Sequence, residues 1–461
     1  MKAVTATVIK APQQPRERIE FSPLDLFARG HFPIGMVFGF NSPIDVGRFQ
    51  DSVQRALACN PYMGAAVRIA EDGRHVLESG HGIEFHAQSH SGELPPRDAI
   101  NRLPLDEFPL ARDAASAADI VARATPLLGF RLTHFADDRC TLGLRMTHSH
   151  IDGTAAMQFL AGICAIYNGG EAKAFAARRT HIASLAQGAG LTPSDALPIA
   201  PALDHSTRAL IAAQPPCLCN NIIVPAEIID DFVQRTQLAA TTKLSSSDVL
   251  CGLAWKAWAL SAQQPAQRKS RLYGHFNIRP VAGLDIPLDY QGNALIDRRA
   301  ELTFAAAREL SVAELARQYR AQTKPLRAGD IVLDIAYLAR LQRERAYDGD
   351  GRFTSFTRGF DLDGATGQAL AINDVRLMRF DQVKFASRAI WYELAGPFED
   401  RNLIEFSLRG DGATVIRYVA PAVDGARFKQ QLENILTNCF EHRAFGPLSA
   451  LLDTIELRQS Y

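Results

Sequence analysis

Nothing in these 461 residues is apolar for the roughly 20 consecutive positions that a bilayer crossing requires. A membrane-spanning protein is therefore not expected. Excess charge is lacking too: 50 Lys and Arg stand against 50 Asp and Glu. Affinity for nucleic acid or an anionic membrane begins with concentrated positive charge, so neither is an expected partner. The opening Met1-Lys2-Ala3-Val4-Thr5-Ala6-Thr7-Val8-Ile9-Lys10 alternates like a strand and lacks the apolar core and small-residue cleavage site of a secretory signal. Cysteine is sparse, with Cys59, Cys140, Cys164, Cys217, Cys219, Cys251 and Cys439 scattered through the chain. An odd, dispersed set suits a reducing compartment better than a disulfide framework, and the cytoplasm is the expected location. Cys217 and Cys219 have no second pair at matching spacing, so no metal is expected there. No short-period repeat is present.

What is present is length. A single core stops growing at roughly 250–300 residues, so two domains of similar size are expected. Between 185 and 219 the pattern loses periodicity and is broken by Gln187-Gly188-Ala189-Gly190, Pro193, Pro198, Pro201, Pro215 and Pro216. This segment reads as a crossover that divides the chain into 1–205 and 206–461. The first half predicts strands at 34–40, 65–69, 127–135 and 140–146 and helices at 46–59 and 154–167. The second predicts helices at 246–260 and 424–438 and strands near 273–278 and 415–419. The fold class is α+β, in two lobes with a cleft between them.

The stretch Thr147-His148-Ser149-His150-Ile151-Asp152-Gly153 carries the chemistry. Before it, Leu142, Leu144 and Met146 alternate with Thr141, Gly143 and Arg145, which predicts a half-buried strand. After it, Ala155, Ala156, Phe159, Leu160, Ile163, Cys164 and Tyr167 fall on one helical face. His148 and Asp152 thus sit on a strand-to-helix turn, where regular elements on both sides hold a side chain while leaving it open to substrate. A simpler reading makes His148 an ordinary loop residue and Asp152 a helix cap. A metal reading takes His148, His150 and Asp152 as the start of a zinc-hydrolase run, but Gly153 stands where another His is needed. Further ligands would be needed downstream, where His181, His205, His275 and His442 stand singly, and no metal site is assigned.

Several blocks in order resemble the BAHD acyltransferases, of the superfamily that includes chloramphenicol acetyltransferase and the condensation domains of peptide synthetases. Phe21-Ser22-Pro23-Leu24-Asp25 resembles the opening LS-x-x-D, and 46–63 resembles the helix that follows, with Pro61 and Gly64 at its exit. His148 to Gly153 matches HxxxDG. Ser245 to Trp255 resembles S-x-x-D-x-L-x-A-x-x-W, with Gly252 at the Ala position. Asn277-Ile278-Arg279-Pro280 resembles V-D-x-R, and Tyr290-Gln291-Gly292-Asn293-Ala294 resembles Y-F-G-N-A. The chain departs from the family at DFGWG, where Lys384-Phe385-Ala386-Ser387-Arg388 keeps only the Phe. That motif lies away from the catalytic His in the family and is structural there.

The resemblance implies two chloramphenicol-acetyltransferase-like lobes with the active site in a channel between them. It implies an O- or N-acyltransferase of specialised metabolism, monomeric, using acyl-CoA as co-substrate with a small-molecule alcohol or amine, and no tightly bound cofactor. His148 would be the general base. Asp152, Gly153 and Arg279 would support the site, Asp152 pairing with Arg279 to lock the His148 loop. Asn373 would face the oxyanion and Ser246 the CoA, although Ser246 also reads as an N-cap. Gly292 and Asn293 read as a turn, and His150 as a packed neighbour. Two alternatives stand beside this: a condensation-type enzyme fed by a carrier protein, and a catalytically silent binding protein on the same scaffold.

Overall fold

The computed structural model describes residues 5–12, 16–95, 117–175, 180–186, 192–202, 217–240, 242–378, 380, 383–395 and 402–440. Within these, the alternation at 141–146 does produce a strand, Cys140–Thr147, yet all eight of its positions are buried rather than every second one. The face opposite the apolar one is closed off from water as well. Arg145 donates to Glu84 Oε2 at 2.8 Å and to the Pro126 carbonyl at 2.9 Å.

This strand lies inside a six-stranded sheet ordered Thr5–Ile9, Ile83–Ser89, Leu128–His134, Cys140–Thr147, Pro33–Phe40 and Ala389–Ala395. The pairs are antiparallel except Ile83–Ser89 with Leu128–His134. Helices Val46–Cys59 and Gly153–Tyr167 supply Phe49, Val53, Leu57, Phe159, Leu160 and Ile163 to the core shared with this sheet. A second six-stranded sheet is ordered Leu218–Val224, Thr414–Ala420, Leu403–Leu408, Ala369–Asp374, Lys269–Asn277 and Leu295–Thr303. Its core is built on helix Ser246–Ser261, whose Trp255 is fully buried with its indole N–H on Ser270 Oγ at 2.8 Å. Among the described residues no helix is long and apolar enough to cross a membrane.

The two halves interlock. Ala389–Ala395 comes from the second half of the sequence but adds to the first sheet, antiparallel to Pro33–Phe40. Glu393 on it is reached by Arg417 of the second sheet, and Arg417 also holds Glu405 and the Tyr392 carbonyl, all buried. An apolar cluster containing Phe21, Leu24, Leu77, Leu127, Ile278, Tyr290, Ile335 and Leu338 fills the space between the halves. Of the expected crossover, residues 187–191 and 203–216, with the boundary at 205–206, lie outside the described residues. Within it, Ile199–Pro201 pairs with Phe356–Arg358.

Gly252, at the position where the resembled pattern has Ala, has a steric reason. A Cβ there would lie 2.6 Å from the Val312 carbonyl oxygen and 2.8 Å from the Ala316 nitrogen, so Ser246–Ser261 touches the backbone of helix Val312–Thr323. Backbone cannot step aside as a side-chain tip can. Gly252→Ala is expected to destabilise the protein by about 1–3 kcal/mol, the usual cost of overpacking, read as a lowered thermal midpoint; an unchanged midpoint would show that the helices separate freely.

Candidate active site

The turn from strand Cys140–Thr147 to helix Gly153–Tyr167 is held from both halves. Asp152 is the N-cap of the helix, its Oδ1 accepting from Ala155 N at 2.9 Å. The same carboxylate receives Arg279 as a fork, Nη1 to Oδ2 at 2.7 Å and Nη2 to Oδ1 at 3.1 Å, and Ala294 N donates to Oδ2 at 3.0 Å. Arg279 also donates to the carbonyls of Tyr290 and Gly292 at 2.8 and 2.9 Å and to Asn277 Oδ1 at 3.2 Å. Both side chains are shut off from solvent, at 0% and 1% exposure. In so dry a setting an ion pair holds best when the remaining hydrogen-bonding capacity is also met; here the neighbouring backbone and Asn277 occupy both terminal nitrogens, and Arg279 Nε is left without a partner among the described residues.

Around this pair the turn is fixed atom by atom. His148 N donates to the Phe32 carbonyl at 2.9 Å, and Asn293 Nδ2 donates to the His148 carbonyl at 2.8 Å. Asn293 also donates, from N and Nδ2, to Asp25 Oδ1 at 2.9 and 3.1 Å. Asp25 closes a capping box with Ser22 on helix Pro23–Arg29. The expected turn at Gly292 and Asn293 therefore also carries a buried side-chain bridge, a role its sequence does not announce. Ser149 and His150 point inward and are fully buried. His150 Nε2 lies 2.7 Å from the Tyr62 carbonyl, and Ser149 Oγ lies 2.7 Å from His31 Nδ1. His148 is the half-buried member of the three. His148, His150 and Asp152 thus diverge, with Asp152 engaged by Arg279 and His150 by the Tyr62 backbone.

A second group meets the first through the segment after strand Ala369–Asp374. Asn373 is half-buried near the end of that strand, beside Glu405 in register. Arg376 binds both Asp374 oxygens at 2.9 and 2.7 Å and reaches Ser246 Oγ at 3.4 Å. Met378 then covers Gly153, where an added Cβ would stand 2.9 Å from its Cε. The capping reading of Ser246 is corrected by one position: Ser245 is the N-cap and pairs with Asp248 in a capping box, because the Ser-x-x-Asp spacing counts from 245. That leaves Ser246 in the first helical turn. Burial alone would raise the Asp248 carboxyl, but Lys324 at 2.5 Å and Ser245 hold it below its ordinary range. Arg320 joins it at 2.8 Å, so the helix start carries three cationic side chains.

The model of the Transferase family matches residues 99–351, more than half of the chain. The chain belongs to that family, the BAHD acyltransferases. Putrescine hydroxycinnamoyltransferase 1 of Oryza sativa subsp. japonica is 32% identical over 183 residues, which are 36% of this chain and 39% of that protein. The match thus spans well under half of the length of that curated relative. The crystal structure of F. graminearum TRI101 complexed with coenzyme A and deoxynivalenol aligns over 90% of this chain and 97% of that one, with 11% identity and a TM-score of 0.68. Vinorine synthase aligns over 94% and 97%, with 14% identity and a TM-score of 0.64. The first condensation domain of the CDA synthetase aligns over 92% and 96%, with 14% identity and a TM-score of 0.57. At such identities the likeness is one of fold, and it bears out the expected two-lobed α+β architecture of this BAHD family member.

Sequence reasoning missed His31 and His75. His31 Nε2 lies 2.8 Å from His75 Nδ1, and Tyr347 Oη accepts from His75 N at 3.1 Å. The partners are 44 and 118 residues from His31, so no local pattern could reveal them. Burial first, then the neighbouring His75, depresses the His31 imidazole to about 3. Burial also lowers His75, against an opposing pull from Asp348.

Two outcomes follow. Arg279→Ala leaves Asp152 a buried, uncompensated charge, a change that costs about 3–5 kcal/mol; a thermal midpoint equal to wild type would show that water enters and solvates the carboxylate. The buried imidazoles act on stability with a definite sign. Unfolded histidine protonates near 6.5, so between that value and about 3 the unfolded chain binds the extra proton at His31 and the native chain does not. Stability is undiminished by this group above that window and falls as pH is lowered through it, by up to about 1.4 kcal/mol per pH unit. Calorimetry from pH 7 to 5 is expected to show a shallower decline for His31→Asn than for wild type, and parallel declines would refute the assignment.

Proposed function

We propose that this protein moves an acyl group from acyl-CoA to a hydroxyl or amine of a small molecule, with His148 as general base. The observation that carries the reading is the Asp152–Arg279 fork, which fixes the strand-to-helix turn from the far half while His148 stays half-buried between the buried Thr147 and Ser149. In the step envisaged, an imidazole nitrogen of His148 takes the acceptor proton as the acceptor lone pair attacks the thioester carbonyl. The tetrahedral oxyanion draws hydrogen bonds, Asn373 being the assigned donor. Collapse breaks the C–S bond, and the thiolate leaves with the proton returned by His148. Asp152, Gly153 and Arg279 act only by holding the turn.

Direct transfer needs no acyl-enzyme. Burial pushes the thiols of Cys140, Cys164 and Cys251 up to about 12, and a protonated thiol is a poor nucleophile. For the donor, we assign the CoA phosphates to the start of helix Ser246–Ser261, where free N–H groups attract anions and Arg376, Lys324 and Arg320 gather. Ser246 would touch CoA there. The proposal extends to a cytoplasmic monomer of lobes 1–205 and 206–461, with no tightly bound cofactor, acting in specialised metabolism.

The test is release of free thiol from a panel of acyl-CoAs with alcohol and amine acceptors, including a hydroxycinnamoyl-CoA with putrescine after the rice relative. His148→Ala should lower kcat by about 10²–10⁴-fold, the usual contribution of a general base, with folding unchanged. Arg376→Ala should raise KM for acyl-CoA and leave kcat nearly unaltered. Activity only with a carrier-tethered acyl group would overturn the CoA assignment, and silence with every donor would overturn the enzymatic one.

A further inference from the structure

The direction of a catalytic imidazole is set by whatever holds the residues beside it. At this turn the Asp152–Arg279 fork is joined by a second hold from the pair His31-Phe32, far away in sequence. Phe32 takes the main-chain N–H of His148 through its carbonyl at 2.9 Å. His31, with no exposure to solvent, meets Ser149 Oγ at 2.7 Å through Nδ1. Its ring cannot turn away. Nε2 is tied to His75 Nδ1 at 2.8 Å, and the Phe21 ring stands 5.2 Å off. The backbone of Gly351 presses so close that a Cβ there would be 2.7 Å from Nε2. His31 N itself donates to the Asp350 carbonyl at 2.8 Å.

We infer that His31 is a positioning residue for the transfer reaction: it clamps Ser149 and, through it, fixes where the His148 ring points. The inference rests on His148 being the base. A neutral His31 suits the task, since one ring nitrogen donates its proton while the other accepts one from the neighbour, so the two hydrogen bonds of the run Ser149–His31–His75 can be ordered in either direction. His75, on the short strand His75–Glu78, anchors the far end of the ring and is one step further from the chemistry. Reacting groups displaced by about 1 Å can lose on the order of 100-fold in rate, so a clamp on the neighbouring residue acts on kcat and not on substrate binding.

Two conservative variants separate this role from general support of the fold. Asn places a polar atom about where Nδ1 lies and keeps the bond to Ser149; Gln reaches about as far as Nε2 and keeps the bond to His75. His31→Asn is therefore expected to retain kcat within about threefold of wild type. His31→Gln and Ser149→Ala should each lose on the order of tenfold to 100-fold, with KM for acyl-CoA within twofold. The double variant His31→Gln/Ser149→Ala should be no slower than either single one, since both remove the same contact. Thermal midpoints measured alongside correct for any unfolded fraction. Equal kcat losses in the Asn and Gln variants, or losses that simply track the midpoints, would overturn the positioning role. If His148→Ala retains wild-type activity, the base assignment has failed instead; if it is inactive while His31→Gln and Ser149→Ala turn over normally, only the present inference falls.

Discussion

The buried fork between Asp152 and Arg279 is the constraint on which the rest of the site depends. One carboxylate caps helix Gly153–Tyr167, receives a guanidinium from the other half and accepts the Ala294 amide. Removing two charges from water is costly, and attraction between them compensates only with near-ideal geometry and full hydrogen bonding. That requirement makes the pair discriminating: a small shift of the halves relative to one another would strip partners from both ions together. The block Tyr290 to Ala294 extends the same tie, as Gln291 reaches Asn60 at 2.8 Å and Asn293 joins Asp25 to the His148 carbonyl.

Much of the secondary structure was legible because its signals are local. The change of period around Gly153 marks a strand giving way to a helix, and the observed Cys140–Thr147 and Gly153–Tyr167 follow it closely. The partnership of Asp152 and Arg279 was legible only through the family resemblance, since nothing in either residue's surroundings names the other across 127 positions. What stayed hidden is of one kind. Alternation says that 141–146 is a strand but not that Glu84 will bury its Arg145, and it cannot assign Ala389–Ala395 to the sheet of the opposite half. His31, His75 and Tyr62 were overlooked for the same reason: an isolated polar residue carries no periodicity, and its meaning comes from residues the fold brings to it.

The altered DFGWG segment has a physical reading as well. Phe385, the residue that persists, is fully buried, with ring centroids 5.8 Å from Phe40, 5.5 Å from Phe49 and 5.2 Å from Tyr167. Asn168, at the end of helix Gly153–Tyr167, donates to the Lys384 carbonyl at 3.0 Å. One aromatic plug and one backbone contact therefore hold this segment on the first half just before the chain enters the strand that completes its sheet. Lys384, Ala386, Ser387 and Arg388 stand around Phe385 in that anchored segment.

Completion of the first sheet by Ala389–Ala395 has a consequence for biosynthesis. Pro33–Phe40 leaves the ribosome about 350 residues ahead of the strand it must pair with, an interval of roughly 20–70 s at about 5–20 residues per second. Through that time the nascent chain presents the free rim of a β-sheet, the kind of surface that recruits strands from other molecules. A polypeptide truncated before residue 389 would carry Asp152 and Arg279 but would also lack Leu403–Leu408 and Thr414–Ala420, the inner strands of the second sheet, so open rims would remain in both sheets and its hazard would be aggregation.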